Sequence, residues 1–249
     1  MSRNLDYAKW ALGPLLLLQG KRVRQRTPEL PEPPGDREGM VGEGPGIRLL
    51  VLGDSAAAGV GAPSQEKTLC GRIVTALAPH WRVQYRVVAK TGATTASTIE
   101  HLETLPAFRT GAVVTSLGVN EVTGDVGVAE FLAAQRRLHD LLREKFAAKY
   151  ILVSGLPPMG SFTALPQPLR WYLGRRAHEM DEALAAALPD GRGAHYLPLY
   201  RMMERAQLAS DGFHPGPSAY ASWGAAVASR IVAATHPERT RASDGLDFS

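Results

Sequence analysis

At 249 residues, with 45% apolar and 21% charged side chains, the chain is long enough for a sizeable core and too apolar for a disordered or fibrous protein, while length alone leaves one large domain or two small ones open. A formal charge of +4 is modest and comes without a nucleic-acid-binding signature, so nucleic acid is set aside as a partner. The single cysteine, Cys70, excludes an internal disulfide and any four-thiolate metal site.

Trp10 to Leu18 (WALGPLLLL) is the first notable stretch. Asp6 precedes it, no small-x-small cleavage site follows, and Lys21, Arg22, Arg24 and Arg26 come directly after, so a cytoplasmic location is expected over secretion. The run is too short to span a bilayer. Two readings stand side by side: a helix docked on the protein, or a shallow anchor that gives peripheral membrane contact through residues 10–26. Thr27 to Gly46 carries several prolines and glycines with no hydrophobic period, and reads as a linker or an extended arm. The expected organisation is an N-terminal apolar and basic segment with a Pro/Gly-rich arm over 1–46, a folded domain over 47–235 and a polar C-terminal tail over 236–249.

From Ile47 onward, strand-like runs alternate with helical periods. The strands are expected at Arg48 to Leu52, Arg82 to Ala89, Ala112 to Ser116, Tyr150 to Ser154 and Ala194 to Leu197. Among the helical stripes, Val128, Phe131, Gln135, Leu138, Leu142 and Phe146 is the clearest, and only Gln135 breaks it. Further stripes run Leu173, Ala177, Met180, Leu184, Leu188 and Tyr220, Trp223, Val227, Ile231. Repeated strand-helix alternation implies right-handed crossovers and a parallel sheet covered on both faces. The expected fold is therefore α/β: a three-layer, flavodoxin-like α/β/α sandwich around a five-stranded parallel sheet of order 2-1-3-4-5.

That order makes the first three strands neighbours and brings the turns after them to one edge. Gly53-Asp54-Ser55 follows the first strand, Lys90 to Thr95 (KTGATT) the second, and Leu117 to Thr123 (LGVNEVT) the third. The amides of Ser55 and Gly92 and the side-chain amide of Asn120 are three neutral donors able to converge on one developing oxyanion. Glycine lets the backbone approach a ligand closely. A serine nucleophile also needs a base held by a carboxylate. Of seven histidines only His214, in Asp211-Gly212-Phe213-His214-Pro215, has an acidic residue three positions upstream.

With these residues in place the chain resembles the SGNH hydrolases, the GDSL-type esterase and lipase family. The resemblance covers about Ile47 to Ala234. It implies Ser55 as nucleophile, His214 as general base and acid, Asp211 as its orienting partner, and an oxyanion hole of Ser55, Gly92 and Asn120, with no cofactor. Two departures stand out: Glu121 follows Asn120 where the family often has Asp, and Ala56 stands where the GDSL string has leucine. The α/β-hydrolase signature G-x-S-x-G is absent, which sets that competing fold aside.

The implied activity is hydrolysis of carboxylic esters of short to medium acyl chains through an acyl-enzyme on Ser55. Acyl transfer, or lysophospholipase or thioesterase activity, are alternatives within the family, and a non-catalytic flavodoxin-like binding domain is the reading from another class. Leu156 to Leu169 (LPPMGSFTALPQPL) follows the fourth strand at the same sheet edge, and is expected either to line an acyl pocket through Met159, Phe162 and Leu165 or to cap the core. No metal-ligand spacing and no phosphate or dinucleotide loop is found, so no metal is expected.

Overall fold

Leu49 to Gly53 are buried without interruption, as a strand covered on both faces must be, and they form the centre of a mostly parallel sheet. In the computed structural model, which describes residues 3–188, 193–200 and 207–235, the elements are α1 (Arg3–Arg26), β1 (Glu38–Val41), β2 (Gly46–Gly53), α2 (Ser55–Ala58), α3 (Leu69–Leu77), β3 (Arg82–Ala89), α4 (Thr95–Thr104), β4 (Ala112–Ser116), α5 (Val119–Thr123), α6 (Val128–Phe146), β5 (Tyr150–Ser154), α7 (Leu169–Ala187), β6 (Ala194–Leu197) and α8 (Pro217–Thr235). The expected polar tail, 236–249, lies outside the described residues.

Among the described residues six strands run in the order β1-β3-β2-β4-β5-β6. Strands β2 to β6 are parallel and reproduce the expected 2-1-3-4-5 order. The sixth is a correction: β1, inside the segment read as linker or arm, pairs antiparallel with β3. The physical reason is its place at the edge. All four of its residues are exposed, so it needs ladder hydrogen bonds but no apolar face, and it leaves no period-2 signal. A cross-strand pair, Arg86 Nε to Glu38 at 2.9 Å, and the bond from Val87 N to Arg37 O at 2.7 Å secure it.

Alternation along β2 builds two cores. Ile47, Leu49 and Val51 face α3 and α8, where Ile73, Leu77, Tyr220 and Trp223 are buried. Leu50 and Leu52 face the opposite layer, with Phe131, Leu138 and Leu142 of α6 and Met180 and Leu184 of α7. Each fully buried large side chain contributes about 1.5–3 kcal/mol, so these two faces carry most of the fold's hydrophobic stabilisation. The helix α1 lies outside the second layer, against α7, through buried Leu5 and Leu16.

The register places the functional turns. Gly53 pairs with Ala89 on one side and with Ser116 on the other, so β3, β2 and β4 end level and the residues after each emerge together.

Candidate active site

At the end of β2 the backbone must pass close to its neighbour. A Cβ on Gly53, whose φ is +155°, would lie 2.2 Å from the Ser116 carbonyl oxygen, so only glycine fits. Asp54 N then donates to that oxygen at 3.1 Å, and the Asp54 carboxylate accepts from Ala56 N at 3.0 Å as the N-cap of the one-turn helix α2. Ser55 is the first residue of that helix. Its amide therefore has no carbonyl one turn back and is free to donate outward.

His214 arrives from the far end of the chain on a small hairpin. Ala209 N donates to His214 O at 2.8 Å, Gly216 N to Gln207 O at 2.7 Å, and Leu208 bridges Pro215. A Cβ on Gly61, at φ +94°, would lie 2.3 Å from Pro215 O, which shows how tightly the turn after α2 supports the hairpin. The buried Tyr220 hydroxyl donates to Val60 O at 2.7 Å from beneath.

His214 Nε2 lies 2.9 Å from Ser55 Oγ, and His214 Nδ1 lies 2.5 Å from Asp211 Oδ2. The other Asp211 oxygen accepts from the amides of Phe213 and His214, each at 3.0 Å, so the carboxylate is fixed before it meets the ring. Burial acts to raise the Asp211 pKa, but the bonds from the His214 ring and the two amides outweigh it and hold the group below the ordinary carboxylate value.

Gly92 sits in the turn after β3 at φ +82°, and a Cβ there would meet nothing within 4 Å, so the glycine answers a backbone need and leaves open space above it. Asn120 Nδ2 donates to Ala93 O at 2.9 Å and reaches Asp54 Oδ2 only at 3.4 Å. One amide hydrogen is thus anchored between the two turns and the other is weakly engaged. Asp54 is fully enclosed; burial above all, with the nearby Glu121, pushes its pKa up to about 7.

The departure at Glu121 has a structural counterpart. Its buried carboxylate accepts from the Thr95 amide at 2.6 Å and the Thr95 hydroxyl at 2.5 Å, and that hydroxyl accepts from Gln135 Nε2 at 2.9 Å. Sequence reasoning left this network out. Its traces were Glu121 itself and Gln135, the polar interruption of an otherwise apolar stripe, buried here because it has a partner.

The expected pocket residues separate. Met159 is wholly buried in the core and lines neither cavity of the site. Phe162 borders a small pocket of about 40 Å³ beside Ser55, with Leu199, Phe213 and Trp223. Leu165 borders a larger groove of about 890 Å³, whose wall includes Asn120 and Phe213 and, on the other side, Trp10, Leu16 and Leu17 of α1. The Phe213 ring stands edge-on to both Phe162 and His214, at centroid distances of 4.9 and 5.3 Å. Of the two readings of this segment, the helix docked on the protein is the one α1 follows where it packs against α7; which residues it would face across the groove was not legible in the sequence. Among the described residues no three His, Cys, Asp or Glu side chains form a metal-holding cluster.

A family model described as the GDSL-like lipase/acylhydrolase family matches residues 51–221. The chain is 28% identical over 236 residues to a GDSL-like esterase of Mycobacterium tuberculosis, covering 84% of this chain and 74% of the relative. Its fold is similar to that of a lipase from a goat rumen metagenome, at TM-score 0.58 and 13% identity over 74% of this chain and 96% of the other. It is also similar to a carbohydrate acetylesterase of Sinorhizobium meliloti, at TM-score 0.56 and 17% identity over 75% and 99% of the two chains. At such identities the structural likeness speaks for the fold.

Proposed function

The chain belongs to the GDSL-like lipase/acylhydrolase family, and from that premise we propose that it is a serine esterase acting on carboxylic esters of short to medium acyl chains through an acyl-enzyme on Ser55. The observation that carries the proposal is the unbroken relay from Asp211 through His214 to Ser55, at 2.5 and 2.9 Å.

The Ser55 hydroxyl attacks the ester carbonyl while His214 Nε2 takes its proton, and Asp211 stabilises the imidazolium that results. Charge developing on the carbonyl oxygen is met by the amides of Ser55 and Gly92 and by the weakly engaged hydrogen of Asn120. His214 returns the proton to the departing alkoxide as the carbon–oxygen bond breaks. Water, deprotonated by the same imidazole, then attacks the acyl-enzyme and releases the acid with Ser55 restored.

The small pocket of about 40 Å³ beside Ser55 supports acceptance of short acyl groups, and the larger groove beyond Asn120 and Phe213 supports extension to medium chains. The test combines two measurements. Ser55→Ala is expected to abolish hydrolysis of p-nitrophenyl acetate and butyrate, and a fluorophosphonate probe is expected to label the wild type and not the variant. Activity or labelling that survives the substitution overturns the assignment; wild-type protein that neither hydrolyses nor labels returns the chain to the non-catalytic reading.

A further inference from the structure

The helix α1 has two faces with different partners. Its inward side is satisfied by the protein: Leu5 and Leu16 are buried, Lys9 pairs with Asp125, and Gln19 both donates to Gln167 O at 2.7 Å and accepts from Leu169 N at 3.1 Å. Its outward side has none of these ties. At 3.6 residues per turn, Tyr7 and Leu18 fall on that outward side, and Trp10 and Leu17 flank it along the edge of the groove, Trp10 87% and Leu17 74% exposed. They cover about 16 Å of helix at ~1.5 Å per residue. Lys21 and Arg22, both exposed, continue the same side through the next turn, so the outward surface is apolar along its first part and basic along its last.

We infer that this face of α1 docks on an anionic lipid surface, and that the groove beneath α1 takes the acyl chain of an ester lipid from it. A bilayer surface offers acyl chains and anionic headgroups side by side, which matches an apolar stretch followed by cations. A second copy of the helix fits worse. Parallel pairing through this face sets the two basic ends against each other, and antiparallel pairing seats Lys21 and Arg22 on apolar side chains. No helix among the described residues is long and apolar enough to cross a membrane, so the contact is with the surface. The groove strengthens the inference because α1 supplies one of its walls while Asn120 and Phe213 stand in the other, placing the entry for an acyl chain at the docked face. The groove half of the inference rests on the esterase reading; the docking half does not.

The experiment is co-sedimentation of the full chain with phosphatidylcholine vesicles, with and without phosphatidylglycerol, alongside tryptophan emission. Wild type and Ser55→Ala are both expected to sediment with the anionic vesicles, with a blue-shifted emission. Lys21→Gln with Arg22→Gln is expected to weaken that partitioning by about 30-fold, a factor of about five per cation. The wild type is expected to hydrolyse a medium-chain p-nitrophenyl ester faster when it is carried in those vesicles; Tyr7→Ser with Leu18→Ser, two side chains outside the groove, is expected to remove binding and that acceleration, while hydrolysis of p-nitrophenyl acetate stays at the wild-type rate and reports an intact fold. Absence of wild-type sedimentation, or equal sedimentation of all variants, overturns the docking. A concentration-dependent dimer that Tyr7→Ser with Leu18→Ser dissociates, without vesicle binding, assigns the face to self-association and overturns it equally. Vesicle binding with no hydrolysis of any ester would instead count against the esterase reading and the groove alone.

Discussion

Glu121 accepts from both the amide and the hydroxyl of Thr95, at 2.6 and 2.5 Å, and so ties α5 to the first turn of α4. Those two segments carry Asn120 and follow Gly92, and their relative position sets the spacing of the oxyanion donors. Because Thr95 also accepts from Gln135, one hydroxyl joins three elements.

Thr95→Val keeps the shape of the side chain and removes the hydroxyl, leaving the Gln135 amide without its acceptor. The expected cost is about 1–3 kcal/mol in urea unfolding. If the link also aligns the donors, kcat falls, by up to about 10²-fold, with little change in KM. A variant with wild-type stability and wild-type kcat would remove the network from any account of the site.

Asn120→Ala is expected to lower kcat by about 10²–10³-fold, the range for loss of one oxyanion donor. Asn120→Asp, which sets a carboxylate beside the developing negative charge, should be no better. A loss of less than severalfold in the alanine variant would move the donor role to another group.

Asp54 predicts an unusual pH dependence of stability. Its pKa is raised from 3.8 to about 7 in the folded protein, so between those values the folded state holds more protons than the unfolded state and this group's contribution falls as pH rises, levelling off above about 7. Asp54→Asn keeps an oxygen to cap α2 and cannot ionise. Its stability relative to wild type should therefore climb from about pH 4 to about pH 7 by on the order of a few kcal/mol. Parallel curves for the two proteins in thermal or urea unfolding would contradict this.

His139 acts in the opposite sense. Burial, with Arg143 nearby, lowers its pKa from 6.5 to about 4, so the unfolded state holds more protons in that interval and stability is lost as pH falls through it. His139→Leu should flatten the decline between about pH 6.5 and 4 without changing stability in the same direction at neutral pH. An unchanged acid slope would assign the decline to other groups.

Much of the architecture was legible because it rests on local pattern. Buried strands such as Leu49 to Leu52 read as unbroken apolar runs, and the α6 stripe reads at helical spacing. The Asp211 to His214 spacing was legible for the same reason: three positions in one turn are enough to bring the carboxylate to the ring. Strand β1 was hidden because an exposed edge strand is held by its ladder and carries no apolar signal. Met159 and Leu165 read alike in the sequence and both are buried, yet Leu165 also borders the groove and Met159 does not, since composition does not distinguish a pocket wall from the core behind it.

By itself, then, the sequence determined the alternation of strands and helices, the turns bearing Ser55, Gly92 and Asn120, and the Asp211–His214 pair, all of which depend on periodicity or on neighbours a few positions apart. Only the tertiary structure decided that His214 meets Ser55 across 159 positions, that Glu121 is fastened to Thr95, and that α1 walls a groove reaching Asn120. Those relationships come from packing between distant segments, where the position of each side chain depends on every layer beneath it and no local pattern encodes the distance.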